Sequence, residues 1–346
     1  MKINICSETK ILNMKGEGVN TAFLNSIELL NDSENIEVLI NNEGFGDIMH
    51  SHSYGPYYFL RGLKYKGRKV HTVHVIPDSI IGSIPAAKLL LPFVKWYFKQ
   101  VYSYADVCIA ISPMVEKAIK DLGVKTNIVV MNNPVLIENW KSNLELREKG
   151  RAILGLKEYD FCVLGVGQLE SRKGCADFIE VAKHIPNAQF RWIGGRPFGK
   201  LTEGIKSLEK QIASASPNVK FAGLFSLEDM PSLYAAGDML LFPSYQENCP
   251  LAPLEAAASG MPVVYRNIPE YNLLYKNEYL SANNNDEFAD WVNRLMIDDD
   301  AYLRGLEISS MLITQFEKNS IRDKLMDVYS DLLNSQIDTQ LINQYA

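Results

Sequence analysis

The sequence lacks the features of several specialised protein classes. Its five cysteines are odd in number and scattered without metal-ligand spacing, which argues against a disulfide scaffold or a zinc site. No apolar run approaches the ~18 residues of a membrane-spanning helix, and the opening MKINICSETK has no apolar signal core. Repeats and low-complexity segments are also missing. We therefore expect an ordered intracellular protein without a metal centre.

Length and strand pattern predict the fold class. The chain has 346 residues, more than the ~250–300 at which a single core stops growing, so two domains are expected. Short apolar runs such as KINIC and HTVHVI alternate with helical patterns, and the alternation restarts at FCVLGVG. This pattern predicts an α/β protein with two Rossmann-like domains in series. We place the domains at 1–140 and 141–318, with a terminal helix at 319–346 that packs on the first domain.

Negative charge is in excess, but it is unevenly distributed. The net charge is −6, which does not favour a nucleic-acid partner. Residues 61–100 nevertheless carry eight lysines and arginines against one aspartate. The first domain therefore should have a cationic face, which favours an anionic surface as its partner.

Loops that follow the strands are the candidate ligand sites, because parallel sheets bind ligands at the carboxyl ends of their strands. Gly16 and Gly18 precede the first helix, where glycines let a ligand approach the backbone; a plain flexible turn is the alternative. Arg172 and Lys173 stand before a helix in GVGQLESRKG, a position that favours a diphosphate, although a solvated turn would look the same. Gly194 ends a strand in FRWIGG and could leave room for a ring.

Four segments, taken in order, resemble the family 4 retaining glycosyltransferases. They are KGEGVNTA, GVGQLESRKG, NVKFAGLFSLEDMPSLYAAGDMLLFPSYQEN and PLAPLEAAASGMPVV, with DIMHSHS and YADVCIAISPMVEKAI in the first domain. Glu247 and Glu255 match the Glu-x7-Glu signature of that family. The resemblance implies the GT-B fold, in which two Rossmann-like domains face each other across a cleft and the C-terminal helices cross back to the first domain.

The resemblance assigns donor-binding roles that agree with side-chain chemistry. A carboxylate accepts two hydroxyl hydrogen bonds, so Glu255 suits the ribose of a nucleotide and Glu247 suits the transferred sugar. The backbone N–H groups of Leu251 and Ala252 would hold a phosphate at a helix start. Proline has no N–H to donate, which leaves Pro250 out of that role.

Three further residues complete the predicted catalytic set with Glu247. Arg172 and Lys173 would neutralise the diphosphate as the glycosidic bond breaks, so no metal ion or other cofactor is expected. His74 matches the histidine that lies near the reacting sugar in the family. A histidine among apolar residues is more often structural, and that alternative stays open.

This chain departs from the family at two places. Gln168 replaces a common arginine, and Asn248, Cys249 and Pro250 replace the glycines often found between the two glutamates. Contacts to the hexose are therefore expected to differ. The full predicted donor-binding set is Gly16, Gly18, Gln168, Gly194, Asn248, Cys249, Pro250, Leu251, Ala252 and Glu255.

An acidic tract at 298–300 is the remaining candidate metal ligand. Asp-x-Asp binds a metal diphosphate in another glycosyltransferase fold, where it follows a strand. Here the tract interrupts a helical region, NRLMIDDDAYLRGL. We expect a polar turn between two helices.

Residues 85–106 combine lysines with aromatic and aliphatic side chains. Lys88, Lys95 and Lys99 share one helical face, as on a helix that lies on an anionic membrane. A helix packed on its own sheet is the alternative, and Pro92 is expected to divide or kink the segment. Apolar residues expected to cover the rest of the helix are Leu89, Leu90, Phe93, Trp96, Tyr97 and Phe98. The residues predicted to meet membrane or acceptor are Ile80, Ile81, Lys88, Lys95, Trp96 and Lys99.

The segment HVIPDSIIGSIP and the helix that follows it resemble the glycolipid synthases of low-GC Gram-positive bacteria. Those enzymes transfer glucose or galactose from a UDP-sugar to diacylglycerol or to monoglucosyl-diacylglycerol. The resemblance implies a peripheral enzyme on the cytoplasmic face of the cell membrane that forms an α-linked dihexosyl-diacylglycerol, the lipoteichoic acid anchor type. A first-step diacylglycerol 3-glucosyltransferase and a soluble glycosyltransferase for a polysaccharide or small acceptor are the alternatives.

Overall fold

Two parallel sheets organise the chain. The computed structural model describes residues 1–8, 18–33, 35–42, 44–80, 87–196 and 205–345, without the side chains of 80, 87, 88 and 335–345. The elements of the first part are β1 (Lys2–Cys6), α1 (Gly18–Asn31), β2 (Glu37–Ile40), β3 (Ile48–Ser51), α2 (Pro56–Gly62), β4 (Arg68–Val73), α3 (Ala87–Ser103), β5 (Val107–Ala110), α4 (Pro113–Asp121) and β6 (Asn127–Val130).

The second part begins after a short 3-10 turn at Ile137–Trp140. Its elements are α5 (Leu144–Leu154), β7 (Phe161–Val166), α6 (Cys175–His184), β8 (Ala188–Ile193), α7 (Ile205–Ala213), β9 (Val219–Gly223), α8 (Met230–Ala235), β10 (Met239–Phe242), α9 (Ala252–Ala258), β11 (Val263–Arg266), α10 (Pro269–Leu274), β12 (Leu280–Ala282), α11 (Asn285–Ile297), α12 (Asp299–Ile313) and α13 (Lys318–Tyr345).

Strand order explains where the site forms. The sheets run β2-β1-β3-β4-β5-β6 and β12-β11-β10-β7-β8-β9, and the strand pairs are parallel. Central strands such as VCIA of β5 and MLLF of β10 are fully buried, as expected for a sheet covered on both faces. In the second sheet, β8 and β9 follow β7 toward one edge, and β11 and β12 follow β10 toward the other, so the direction reverses between the neighbouring strands β7 and β10. Loops after such neighbouring strands leave a crevice for a ligand.

The terminal helix returns to the first sheet. Ile321, Leu325 and Tyr329 of α13 are buried in one core with Ile5 and Phe23 of the first domain. The backbone N–H of Val135 also donates to the Phe316 carbonyl at 3.1 Å, which holds the chain beside the linker before it enters α13. The predicted α/β architecture and the crossing of the C-terminal helices are therefore present, whereas the domain limits at 140 and 318 stay a prediction.

Two features of the helices bear on the sequence predictions. Asp298 is the N-cap of α12 and accepts from the Ala301 N–H at 3.0 Å, so the acidic tract lies where one helix passes to the next, as predicted, although Asp299 and Asp300 already belong to the first turn of α12. Across the described residues, no helix combines the length and apolarity needed to cross a bilayer.

Candidate active site

A cavity of about 610 Å³ opens between the carboxyl ends of the two sheets. Its walls come from both domains and contain nearly all of the predicted catalytic and donor-binding residues. Those that line it are Gly18, His74, Gln168, Arg172, Lys173, Gly194, Glu247, Asn248, Cys249, Pro250, Leu251, Ala252 and Glu255. Gly16 lies outside the described residues, so its predicted role has no structural test.

Lys173 and Glu247 form an ion pair at the cavity wall. Lys173 ends a 3-10 turn after β7, and its Nζ donates to Glu247 Oε1. The Ser244 hydroxyl donates to the same oxygen at 2.7 Å. Burial lowers the pKa of Lys173, and the Glu247 charge opposes that shift. The ion pair therefore fixes the position of the Lys173 ammonium beside the cavity. Its partner is the Glu247 carboxylate, which the sequence analysis assigned to the transferred sugar.

Arg172 is held by a carboxylate that the sequence prediction missed. Its Nε lies 2.7 Å from Oε2 of Glu170, which is almost fully buried and also lines the cavity. The Arg172 carbonyl accepts from the Tyr245 N–H at 2.8 Å, which fixes the loop after β7 against the loop after β10. The Glu-x-Arg-Lys spacing within GVGQLESRKG could have predicted this role for Glu170, because a carboxylate two residues before an arginine can pair with it and orient it.

Glu255 lies deeper, on α9. Its Oε2 accepts a hydrogen bond from the Tyr234 hydroxyl at 2.7 Å. Burial raises the pKa of Glu255 to about 7, while the Tyr234 hydrogen bond acts in the opposite direction. Tyr234 also lines the cavity, but nothing in the sequence separates it from a core tyrosine of α8. Glu255 therefore changes protonation state near neutral pH.

Asn248 spans the cleft. Its side-chain amide donates to the His74 carbonyl at 2.9 Å and to the Ser79 hydroxyl at 3.1 Å, both in the first domain. The neighbouring Cys249 is buried, and burial raises the pKa of its thiol to about 12, so the thiol is not a ready nucleophile. The position at which this sequence departs from the family that it resembles thus joins the two domains beside His74.

His74 follows β4 and is buried at the cleft. Its Nε2 lies 2.9 Å from Nδ1 of His52, at the end of the neighbouring strand β3. Burial lowers the pKa of His74 to about 3, so the ring is neutral at physiological pH. A neutral imidazole can orient a hydroxyl by hydrogen bonding but carries no charge to stabilise a leaving group.

The structure explains the glycine at position 194 by a close contact between loops, which differs from the explanation expected from the sequence. Its φ of +147° favours glycine, and a Cβ there would lie 1.9 Å from the Gly167 carbonyl oxygen. The Gly194 N–H donates to the Gly223 carbonyl at 2.9 Å. The missing side chain therefore allows two strand-end loops to meet, and because Gly194 also lines the cavity, its contact with a ligand ring stays a prediction.

Helix α3 has both a core face and an exposed apolar stripe. Leu89, Phe93 and Trp96 are 82%, 64% and 58% exposed, at the i, i+4 and i+7 positions of one face. Phe98, which was expected among the apolar residues that cover the rest of the helix, is buried in the core, because it lies on the side opposite that stripe. The helix also continues through Pro92 and is not divided. Proline has no N–H for the carbonyl four residues earlier in the helix. Because Pro92 is exposed, water can hydrogen-bond to that carbonyl instead.

Three of the residues predicted to meet the membrane can be compared with the cavity. Lys95, Trp96 and Lys99 are exposed on α3 and do not belong to the cavity wall. Ile81 lies outside the described residues, and the side chains of Ile80 and Lys88 are not described. Among the described residues, no three His, Cys, Asp or Glu side chains form a possible metal site.

Comparison with known proteins identifies the family. Residues 160–298 match the family described as glycosyl transferases group 1, and residues 35–139 match glycosyltransferase family 4. The alpha-galactosylglucosyldiacylglycerol synthase of Streptococcus pneumoniae is 30% identical over 297 residues, which cover 84% of this chain and 79% of that protein. The processive diacylglycerol alpha-glucosyltransferase of Acholeplasma laidlawii is 26% identical over 343 residues, covering 96% and 99%.

A solved structure supports the same conclusion at the level of fold. The crystal structure of Anabaena HepE in complex with UDP and glucose aligns with a TM-score of 0.76 at 18% identity, covering 96% of this chain and 100% of that one. The predicted enzyme class, family and two-domain fold are thus confirmed. The chain belongs to the family 4 glycosyltransferases and has their GT-B fold.

Proposed function

We propose that this glycosyltransferase transfers glucose or galactose from a UDP-hexose to monoglucosyl-diacylglycerol, with retention, at the cytoplasmic face of the cell membrane. The product is an α-linked dihexosyl-diacylglycerol. The observation that carries the proposal is the exposed apolar stripe of α3, which lies opposite the core face of that helix and beside Lys95 and Lys99. The names of the two relatives, which both act on diacylglycerol lipids, support the acceptor class.

The donor binds along the second-domain wall of the cavity. Glu255 accepts the ribose hydroxyls, and Arg172 and Lys173 bind the diphosphate, helped by backbone N–H groups of Leu251 and Ala252. Lys173 already contacts Glu247, but an ammonium has three donors, so a phosphate oxygen can become its second partner. Glu247 then lies between the diphosphate and the sugar and accepts from a hexose hydroxyl.

The transfer needs charge stabilisation more than a nucleophile. As the bond between the anomeric carbon and UDP breaks, Arg172 and Lys173 neutralise the leaving phosphate, and we propose that no metal ion takes part. The acceptor hydroxyl attacks from the face that UDP leaves and gives its proton to the departing phosphate oxygen. His74, neutral and held at the cleft, orients the sugar.

The membrane surface extends beyond one helix. Helix α2 lies beside α3, where the Phe59 and Tyr97 rings are 6.2 Å apart. Tyr57 and Leu60 of α2, and Leu63 directly after it, are about half exposed. Apolar side chains on both helices, with lysines at the flank, suit a bilayer that contains anionic lipid. The lipid acceptor would then enter the cleft from the first-domain side.

Vesicle co-sedimentation tests the membrane part of the proposal. Wild-type protein should bind vesicles that contain phosphatidylglycerol, and binding should weaken as salt rises, because lysine contacts to the surface are screened. The triple variant Leu89→Ser, Phe93→Ser, Trp96→Ser should bind at least about a hundredfold more weakly, since each lost apolar side chain contributes more than ~1 kcal/mol of burial and ~1.4 kcal/mol is a factor of ten.

A matched triple variant on the second domain is the control. Leu144, Ile297 and Leu303 are 80%, 78% and 58% exposed and can be changed to serine in the same way. Their replacement should leave vesicle binding unchanged. If wild-type protein ignores vesicles and transfers sugar to a soluble acceptor instead, a soluble glycosyltransferase is the better assignment.

A further inference from the structure

Histidines form a row on one face of the first sheet. His50 lies in β3 and His52 directly follows that strand; because Ser51 separates them, their side chains share one face of the sheet. His74 directly follows the neighbouring strand β4 and lies on the same face. His50 is fixed by both ring nitrogens, Nδ1 to the Tyr329 hydroxyl at 2.5 Å and Nε2 to the Thr72 hydroxyl at 2.7 Å. The row thus leads from the C-terminal helix α13 to the cleft.

His52 is confined within this row. Its ring lies 4.6 Å from the His50 ring and 5.1 Å from the His74 ring, centroid to centroid, and the Phe23 ring packs at 66° to it at 5.7 Å. The side chain is 3% exposed. With neighbours on three sides, the His52 ring has one orientation in which Nδ1 meets Nε2 of His74 at 2.9 Å.

The protons of this pair can be assigned from the surroundings. Burial lowers the pKa of both rings, so each is neutral and carries one N–H. His52 Nε2 is buried and has no hydrogen-bond partner among the described residues. An orphaned buried N–H is rarer in proteins than an orphaned acceptor. The proton of His52 therefore belongs on Nδ1, which donates to His74 Nε2 and leaves the proton of His74 on Nδ1.

We infer that His52 is a positioning residue, which fixes the tautomer and ring orientation of His74 so that the Nδ1–H of His74 is the donor available to the sugar in the cleft. His52 itself touches no substrate, because it is absent from the cavity wall. The inference rests on the proposed function, in which His74 orients the sugar. The second histidine of the DIMHSHS motif thereby has a role of its own.

Two variants separate positioning from packing. In His52→Asn, the amide nitrogen can occupy the place of Nδ1 and still donate to His74, whereas in His52→Gln it reaches the place of Nε2. His52→Asn should keep most of kcat. His52→Gln should lower kcat ~10- to 100-fold, the range for groups that orient a functional histidine in metal sites, with little change in the KM of the UDP-hexose.

His71 offers a matched control. It is equally buried in β4 but lies on the other face of the sheet, with its ring 5.3 Å from Tyr102 and 6.1 Å from Tyr104. His71→Asn should reduce thermal stability as the His52 variants do and leave kcat unchanged. Equal kcat in His52→Asn and His52→Gln, or an equal loss in His71→Asn, would overturn the inference.

A spectroscopic measurement keeps the inference testable without activity. The chain has five histidines, so the imidazole nitrogen NMR signals of histidine-labelled protein can be assigned with His74→Gln. The signals of His74 should report a proton on Nδ1 in the wild type, and a proton on Nε2 would overturn the inference even if His52→Gln failed to fold. Absence of sugar transfer by a wild type with the expected tautomer would instead refute the proposed function.

Discussion

Glu255 should make the stability of the ligand-free protein depend on pH. The pKa of its carboxyl rises from 4.5 to about 7 because the side chain is buried. Such a change corresponds to about 3 kcal/mol in favour of the protonated form in the folded protein. Since the folded-state pKa lies above the unfolded one, this stability is fully present below pH 4.5 and is lost as pH rises through 7. Glutamine does not titrate, so Glu255→Gln should escape the loss.

The comparison is made by urea unfolding at pH 5 and pH 8. The free energy of unfolding of the wild type, relative to Glu255→Gln, should fall by about 2 to 3 kcal/mol between these values. Glu158→Gln, at an exposed glutamate, is the matched control for the same substitution at the surface. Parallel pH profiles for wild type and Glu255→Gln would refute the reasoning, because they would mean that the carboxyl ionises as it does in water.

The same protonation should appear in donor binding. An ionised carboxylate accepts ribose hydroxyls more strongly than a protonated one. The affinity of the wild type for a UDP-hexose, whose esterified diphosphate does not titrate in this range, should therefore increase between pH 6 and pH 8 when measured by calorimetry. Glu255→Gln should bind the UDP-hexose more weakly at pH 8 and should lack that increase.

Two further predictions concern the diphosphate site. Lys173→Ala and Glu247→Ala should each lower kcat by about 10²- to 10³-fold, and the double variant should be little worse than either because the two side chains act as a pair. The control is Lys183→Ala, which breaks an exposed ion pair with Glu180. Near wild-type turnover in either single variant would contradict the catalytic role of the Lys173–Glu247 pair. Excess EDTA should leave transfer unchanged, and a loss that Mg²⁺ or Mn²⁺ restores would contradict metal-independent transfer.

Much of the site could be predicted because parallel strands carry their loops to one edge. Arg172 and Lys173 follow β7, and Glu247 and Glu255 follow β10. These strands are neighbours in the sheet, so the sequence motifs meet in space without any need to know the packing between domains. The Glu-x7-Glu pair is therefore visible in the sequence and in the cavity alike.

What could not be predicted depends on contacts between distant segments. Asn248 reaches His74 and Ser79 across the cleft, and the side chain that pairs with His74 comes from the adjacent strand rather than from its own. No local pattern encodes such contacts. The side on which Phe98 lies could not be predicted for a related reason, since an aromatic residue on an amphipathic helix can face the core or the solvent until its sheet is known.

The central claim is that a glycolipid receives the sugar. The direct measurement is to incubate the protein with UDP-glucose or UDP-galactose and vesicles that contain diacylglycerol or monoglucosyl-diacylglycerol, and to identify the lipid product by mass and anomeric NMR. The account predicts a dihexosyl-diacylglycerol with a new α-linkage, formed from monoglucosyl-diacylglycerol. Product formed only from diacylglycerol would make this a first-step enzyme, and a β-linkage or the absence of any glycolipid product would contradict the account.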